Sequence, residues 1–143
     1  MNPFGDAGQA RSSSQILSHL SNIVADSEST LTERLVILGW AGNRASRFRA
    51  DSQASSQELQ RLACLLRSAS ANFDRHADWI EQREAEMRRL EYRVRTWAVE
   101  HPAGAAVLNP TEPDAACIGW FPPTLDPEWE NLAARLRRLG ASF

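Results

Sequence analysis

The sequence contains no lysine: its 16 basic residues are all arginine, set against 18 acids for a formal net charge of −2. So even a balance leaves no excess of positive charge for nucleic acid or for an acidic membrane surface. No proline lies between Pro3 and Pro102, so none interrupts a helix over that span. No apolar run approaches the roughly 18–20 residues of a membrane span. The N-terminus, Met1-Asn-Pro-Phe-Gly-Asp-Ala-Gly, has neither the basic n-region nor the apolar h-region of a signal peptide. The expected location is the cytoplasm, or the cell exterior by a route that uses no cleaved signal. Cysteine is scarce too. Cys64 and Cys117 stand far apart without metal-ligand spacing and read as two unpaired thiols acting as small apolar residues.

Catalytic signatures are also missing. His19, His76 and His101 stand apart, with the spacing of neither HExxH nor a Cys/His zinc module. In Asp74-Arg-His76-Ala-Asp78 the titratable groups are two residues apart, and such neighbours do not share a helix face. Glu81, Glu84, Glu86 and Glu91 alternate with Arg83, Arg88, Arg89, Arg93 and Arg95, the pattern of a helix surface laced with ion pairs. Gly39 and Gly42 follow a helix pattern rather than a strand, so they form no phosphate loop. The expectation is a protein that is not an enzyme, with no catalytic residue, cofactor or metal, no nucleic-acid partner and no stable membrane insertion.

What the chain does have is helical periodicity on both sides of one break, Gly39-Trp40-Ala41-Gly42. Glycine supplies the backbone freedom a tight reversal needs, and tryptophan is rigid enough to wedge two helices apart. Before the break, Ile16, Leu20, Ile23, Leu31, Leu35 and Leu38 recur at three- and four-residue steps, after a capping-box spacing of Ser12 and Gln15. Beyond it, Ala45, Phe48, Ser52, Leu59, Leu62, Leu66, Ala69, Phe73, Ile80, Met87, Leu90, Val94 and Trp97 continue a heptad-like seam. The fold class is therefore all-α: an antiparallel helical hairpin with a long second helix, and a Pro-rich C-terminal segment ending in a short helix. Residues 1–11 read as a mobile tail, 12–101 as the hairpin with helices at about 13–38 and 43–101, and 102–143 as an extension with a helix at about 127–139. That last helix starts at Asp126-Pro127-Glu128 and carries Trp129, Leu132, Ala133, Leu136 and Leu139 on one stripe.

The two helices are unequal. At 1.5 Å per residue the first would be about 40 Å long and the second about 85 Å, so the first covers the second only to about residue 70. Phe73, Ile80, Met87, Leu90, Val94 and Trp97 then need another cover, each worth roughly 1.5–3 kcal/mol when buried. The chain's own C-terminal helix, a second copy and a different protein all qualify, and the fold-back of the C-terminal helix is favoured. The expected hairpin seam sets Ile16, Leu20, Ile23, Leu31, Leu35 and Leu38 against Leu59, Leu62, Leu66, Ala69 and Phe73. The expected partner interface comprises Leu17, Val24, Val36, Leu65, Ile80, Met87, Leu90, Val94 and Trp97.

Trp40-x-Gly42 at the bend of a helical hairpin, with Ala45 and Phe48 one and two turns into a long second helix, resembles the WXG family of type VII secretion substrates. The resemblance spans roughly Gln15 to Ile80. It implies a protein that acts by homo- or heterodimerisation into a four-helix bundle and is exported without a cleaved signal. It implies that Trp40 and Gly42 form a turn and export-recognition motif at the bundle's end. The partners it implies are a second copy or another WXG-like protein, with a secretion ATPase or a toxin cargo beyond them. The family's export signal sets an acid four residues after a tyrosine. Here the residue four after Tyr92, the only tyrosine, is Thr96, which suits a partner or chaperone of a signal-bearing substrate. A cytosolic helical coiled-coil adaptor unrelated to secretion is the alternative that the residues leave open.

Overall fold

The computed structural model describes residues 2–37, 39, 41–102 and 121–143, the side chain of Ile37 excepted. Among them the chain is all-helical: α1 spans Ala7–Ile37, α2 Asn43–Glu100 and α3 Glu128–Arg138, with no strand. Two compact units result, one of Ala7–Asp78 and one of Met1–Asp6 with Trp79–Phe143. α2 contributes to both.

In the first unit α1 packs on α2 in a hairpin-like pair. Ser14 meets Ser70, Ser21 meets Ala63, and Glu28 meets Ser56 and Gln60, so the contacts descend α2 as they climb α1. The seam is built from small residues. Ala10, Ser14 and Ser21 are buried on α1, and Ala45, Ser52, Ala63, Ser70 and Ala77 on α2. Part of the expected seam lies in it, since Leu31, Leu35, Leu59, Leu66 and Ala69 are half-buried, but Ile16, Leu20, Ile23, Leu62 and Phe73 are exposed. Leu38 of that seam lies outside the described residues. Interaxial distance follows side-chain size at the contact, and small side chains bring the backbones within reach of each other's hydroxyls. Ser21 Oγ donates to the Ala63 carbonyl at 2.9 Å, and Ser70 Oγ to the Ser14 carbonyl at 3.0 Å. Leucine in place of Ser14, Ser21, Ala63 or Ser70 would hold the helices too far apart for these bonds.

α1 begins earlier than the composition suggests, since residues 7–11 are helical. Ser12 lies inside the helix, bonding back to the Gly8 carbonyl at 2.9 Å, and so caps nothing. Asp6 precedes the first turn, where an acid suits the unsatisfied amides. At the other end of the pair, Gly42 has φ +109°. Its carbonyl accepts the first amide bond of α2 from Ser46 at 3.0 Å.

The second unit closes over the part of α2 that outruns α1. Trp129, Leu132, Ala133 and Leu136 of α3 are buried together with Met87, Val94 and Ala98 of α2, and Phe4, Leu90, Trp97, Phe121, Leu125 and Phe143 pack around them. The chain thus covers this stretch itself. α3 starts on a side-chain cap, the Glu128 amide donating to Asp126 Oδ1 at 2.8 Å. It ends in a Schellman motif, with Ala141 N–H on the Leu136 carbonyl, Gly140 N–H on that of Arg137, and Gly140 at φ +97°. The Trp129 indole N–H donates to the Pro123 carbonyl at 2.8 Å, so the buried ring loses no hydrogen bond. Arg95 sits over both Phe121 and Trp129, at 4.6 and 5.0 Å from their ring centres. Residues 2–6 pack here as well. Phe4 meets Trp79 edge-on at 6.3 Å, and Asn2 bonds Glu84. Arg83 ties the unit together by pairing with both Glu86 and Glu130, whose carboxylates raise its pKa, Glu130 more strongly.

Candidate interaction surface

The two flanks of the hairpin-like pair differ in chemistry. One is polar. Glu28 accepts hydrogen bonds from Ser56, from Gln60 at 3.1 Å and from Thr32 at 3.1 Å. These donors, Ser56 first, hold its carboxyl below the ordinary 4.5. Farther along, Arg11 pairs with Asp78 at 2.9 Å. A cleft of about 740 Å³ opens on this flank between Thr32, Leu35, Val36, Ser52, Gln53 and Gln60. Glu28 and Arg49 also line it, beside the amides and hydroxyls.

The other flank is apolar. Ser14, Ser21 and Glu28 recur every seven residues on α1, as do Ser56, Ala63, Ser70 and Ala77 on α2. Leu20 stands one place before Ser21, and Leu62 and Ala69 one place before Ala63 and Ser70. Two helices running in opposite directions are related by a twofold axis normal to the plane that contains them. That axis keeps each flank on its own side, so rows that precede the seam on both helices border one face. The polar flank obeys the same rule, because Thr32 and Gln60, each one place after a seam leucine, reach the same Glu28 oxygen. Ile16, Leu20 and Ile23 of α1 therefore share a face with Leu62 and Leu65 of α2. Leu65 is 67% exposed and Ile16 61%, and the other three are 42–47% exposed.

The residues expected at a partner interface divide between the two units. Leu65 and Val36 are exposed, and Leu17 and Val24 are half-buried beside the seam. Ile80, Met87 and Val94 are fully buried, and Leu90 and Trp97 pack on the same core as α3. Those five serve the chain's own second unit. Trp40 lies outside the described residues, while Gly42 is exposed with open space where a Cβ would project. The sequence expectation missed the exposure of Ile16, Leu20, Ile23, Leu62 and Phe73 because each was assigned to the seam. The seven-residue recurrence of small residues beside them was the available signal.

Among the described residues no group of histidine, cysteine or acid side chains could hold a metal ion, and no helix is long and apolar enough to cross a membrane. No buried side-chain nitrogen or oxygen among them lacks a hydrogen-bond partner. No family model, curated protein or solved structure matches the chain.

Proposed function

We propose that the chain is a non-enzymatic pairing protein of the WXG type. It works in type VII secretion as an export substrate, or as the partner and chaperone of a substrate that carries the tyrosine–acid signal. Its working part is the antiparallel hairpin, which pairs with a second hairpin through the apolar flank. The observation that carries this is the row of large apolar side chains, Ile16, Leu20, Ile23, Leu62 and Leu65, left exposed along one flank of the helical pair. A face of that kind marks an interaction site. The Trp40-x-Gly42 turn supplies the link to secretion, with Gly42 at a positive φ that favours glycine.

The test is expression in a host with an active type VII system, alone and with its genomic neighbours. Wild-type chain is expected in the culture medium, or in a complex with an exported neighbour. Trp40→Ala should abolish export while leaving the helical circular dichroism signal within a tenth of wild type. Retention of the chain and its complexes in the cytoplasm under every condition would leave the helical adaptor as the better reading.

A further inference from the structure

Met87, Val94 and Ala98 turn one side of α2 into the core of the second unit. At about 3.6 residues per turn, Arg89, Tyr92 and Thr96 fall on the opposite side, and all three are exposed. We infer that this outward side docks an acidic helix of a different protein, with Tyr92 as its apolar anchor and Arg88, Arg89 and Arg93 as the charges that select it. The face lies beyond Ile80, outside the stretch that resembles the WXG family, and shares no residue with the apolar flank of the hairpin-like pair.

Charge is the first ground. From Glu81 to Glu100 the sequence is balanced, with five acids and five arginines, but the fold sorts them. Glu84 and Glu91 keep only 23% and 14% of their side chains exposed and pair with Arg88 at 3.4 Å and Arg95 at 2.9 Å. Glu86 is held by Arg83 at 2.9 Å and by Gln82 at 3.0 Å. Arg89 and Arg93 are left exposed with no ion pair among the described residues. Four residues apart, they stand side by side, and like charges so placed disfavour a helix. A carboxylate brought between them relieves that repulsion, and a guanidinium fork matches a carboxylate's two oxygens.

Apolar spacing is the second. Ala85, Tyr92 and Val99 recur every seven residues, and Tyr92 and Val99 are 72% and 73% exposed. A line of that period is what a second helix packs along, and the residues beside it set partner choice. Around Tyr92 those neighbours are Arg88 on one side and Arg89 on the other. A second copy laid on this face would set arginine against arginine, whereas a helix with glutamate or aspartate there is admitted.

The ends of the face argue against a long polyanion. Glu81 and Glu100 are exposed on Tyr92's side of the helix, eleven residues before it and eight after. A duplex carries a charge about every 1.7 Å, so one running along α2 meets an acid at either end, as does a flat anionic membrane. A peptide helix can confine its carboxylates to the stretch of about 8 Å between Arg88 and Arg93.

Fluorescence anisotropy with the full chain tests this. The probe is a labelled helical peptide of about three heptads with leucine at every seventh position and glutamate beside it; the comparison peptide has lysine for glutamate. The glutamate peptide should bind at least about tenfold more tightly, and its binding should weaken as salt rises from about 0.05 to about 0.5 M. Arg89→Glu with Arg93→Glu should cut that affinity at least about tenfold and transfer the preference to the lysine peptide. Helical content should not change, because both side chains are exposed and glutamate is a good helix former. Tyr92→Ala should weaken the glutamate peptide about tenfold, as loss of a tyrosine anchor does. Arg44→Glu with Arg47→Glu, the same change of charge on exposed residues of the first unit, should leave binding intact. Equal binding of the two peptides overturns the inference, and so does glutamate-peptide binding that the Arg89, Arg93 variant leaves unchanged. Tighter binding of a short duplex DNA or of phosphatidylserine vesicles, lost in the same variant, also overturns it and makes nucleic acid or membrane the occupant.

Discussion

Ser14 and Ser70 hold the hairpin-like seam with two bonds at once. Their hydroxyl oxygens lie 2.9 Å apart, and Ser70 Oγ also donates to the Ser14 carbonyl at 3.0 Å. Ser70 has one hydroxyl hydrogen, so with that hydrogen on the carbonyl it is Ser14 that donates within the hydroxyl pair. Both side chains are buried. Ser70→Ala removes both bonds and leaves the Ser14 hydroxyl without this acceptor, at a cost of about 1–3 kcal/mol. Ser70→Leu must push α1 outward and also breaks the neighbouring Ser21–Ala63 bond, so its cost lies at or above the 1–3 kcal/mol typical of overpacking. Urea unfolding followed by circular dichroism should rank the two in that order.

The all-helical class was legible because no proline falls between Pro3 and Pro102 and apolar residues recur at helical steps. The phase of the seam was legible only in part: Leu31, Leu35, Leu59 and Leu66 are half-buried, but Leu62 is exposed beside the buried Ala63. Apolar content alone favours Leu62 over Ala63, since it weighs side chains by their transfer free energy. What decides the contact is how closely the backbones can approach, and there a small residue prevails. The N-terminal residues misled for another reason. Asn2, Pro3 and Gly5 resemble a loose tail in composition, but Asn2 Oδ1 accepts the Phe4 amide at 3.1 Å, and Phe4 then packs against the second unit. That packing is a tertiary effect that no local pattern encodes.

Gly42 isolates backbone strain from crowding. Its φ is +109° and no atom lies within 4 Å of where a Cβ would stand. Gly42→Ala should therefore cost about 1–3 kcal/mol from the backbone alone, with no compensating shift of neighbours. A Gly39→Ala control, at a position without a positive φ and with equally open space, should cost less. A smaller loss for Gly42→Ala than for Gly39→Ala in thermal unfolding would contradict the assignment.

Glu28 and Glu86 make stability depend on acidity. Both carboxyls are held below 4.5: Glu28 mainly by the Ser56 hydroxyl and then Gln60, Glu86 mainly by Gln82 and then Arg83. A depressed carboxyl binds its proton more readily in the unfolded chain. Its contribution is fully present above 4.5 and declines as the pH falls through the folded value. Urea midpoints taken from pH 6 to pH 3 should fall, and Glu28→Gln with Glu86→Gln should flatten part of that slope. An unchanged slope in the double variant would show that other carboxylates carry the acid sensitivity.

Trp129 closes the second unit by packing and by hydrogen bonding, and graded substitutions separate the two. The ring is fully buried, stacks on Phe121 at 5.5 Å and lies under Arg95. Trp129→Ala opens a large cavity beside Met87, Val94 and Leu136 and should cost about 3–5 kcal/mol. Trp129→Phe keeps an aromatic stack but removes the indole bond to the Pro123 carbonyl, which then keeps only the Asp126 amide at 3.1 Å, and leaves part of the volume unfilled. Its loss should fall between about 1 kcal/mol and the alanine value. Arg95→Leu then tests the cation. If the guanidinium contributes through the rings, its loss should cost about 0.5–2 kcal/mol in wild type and clearly less in the Trp129→Ala background. Equal losses in both backgrounds would mean that Arg95 acts through its 2.9 Å pair with Glu91, and that the ring contact contributes no energy of its own.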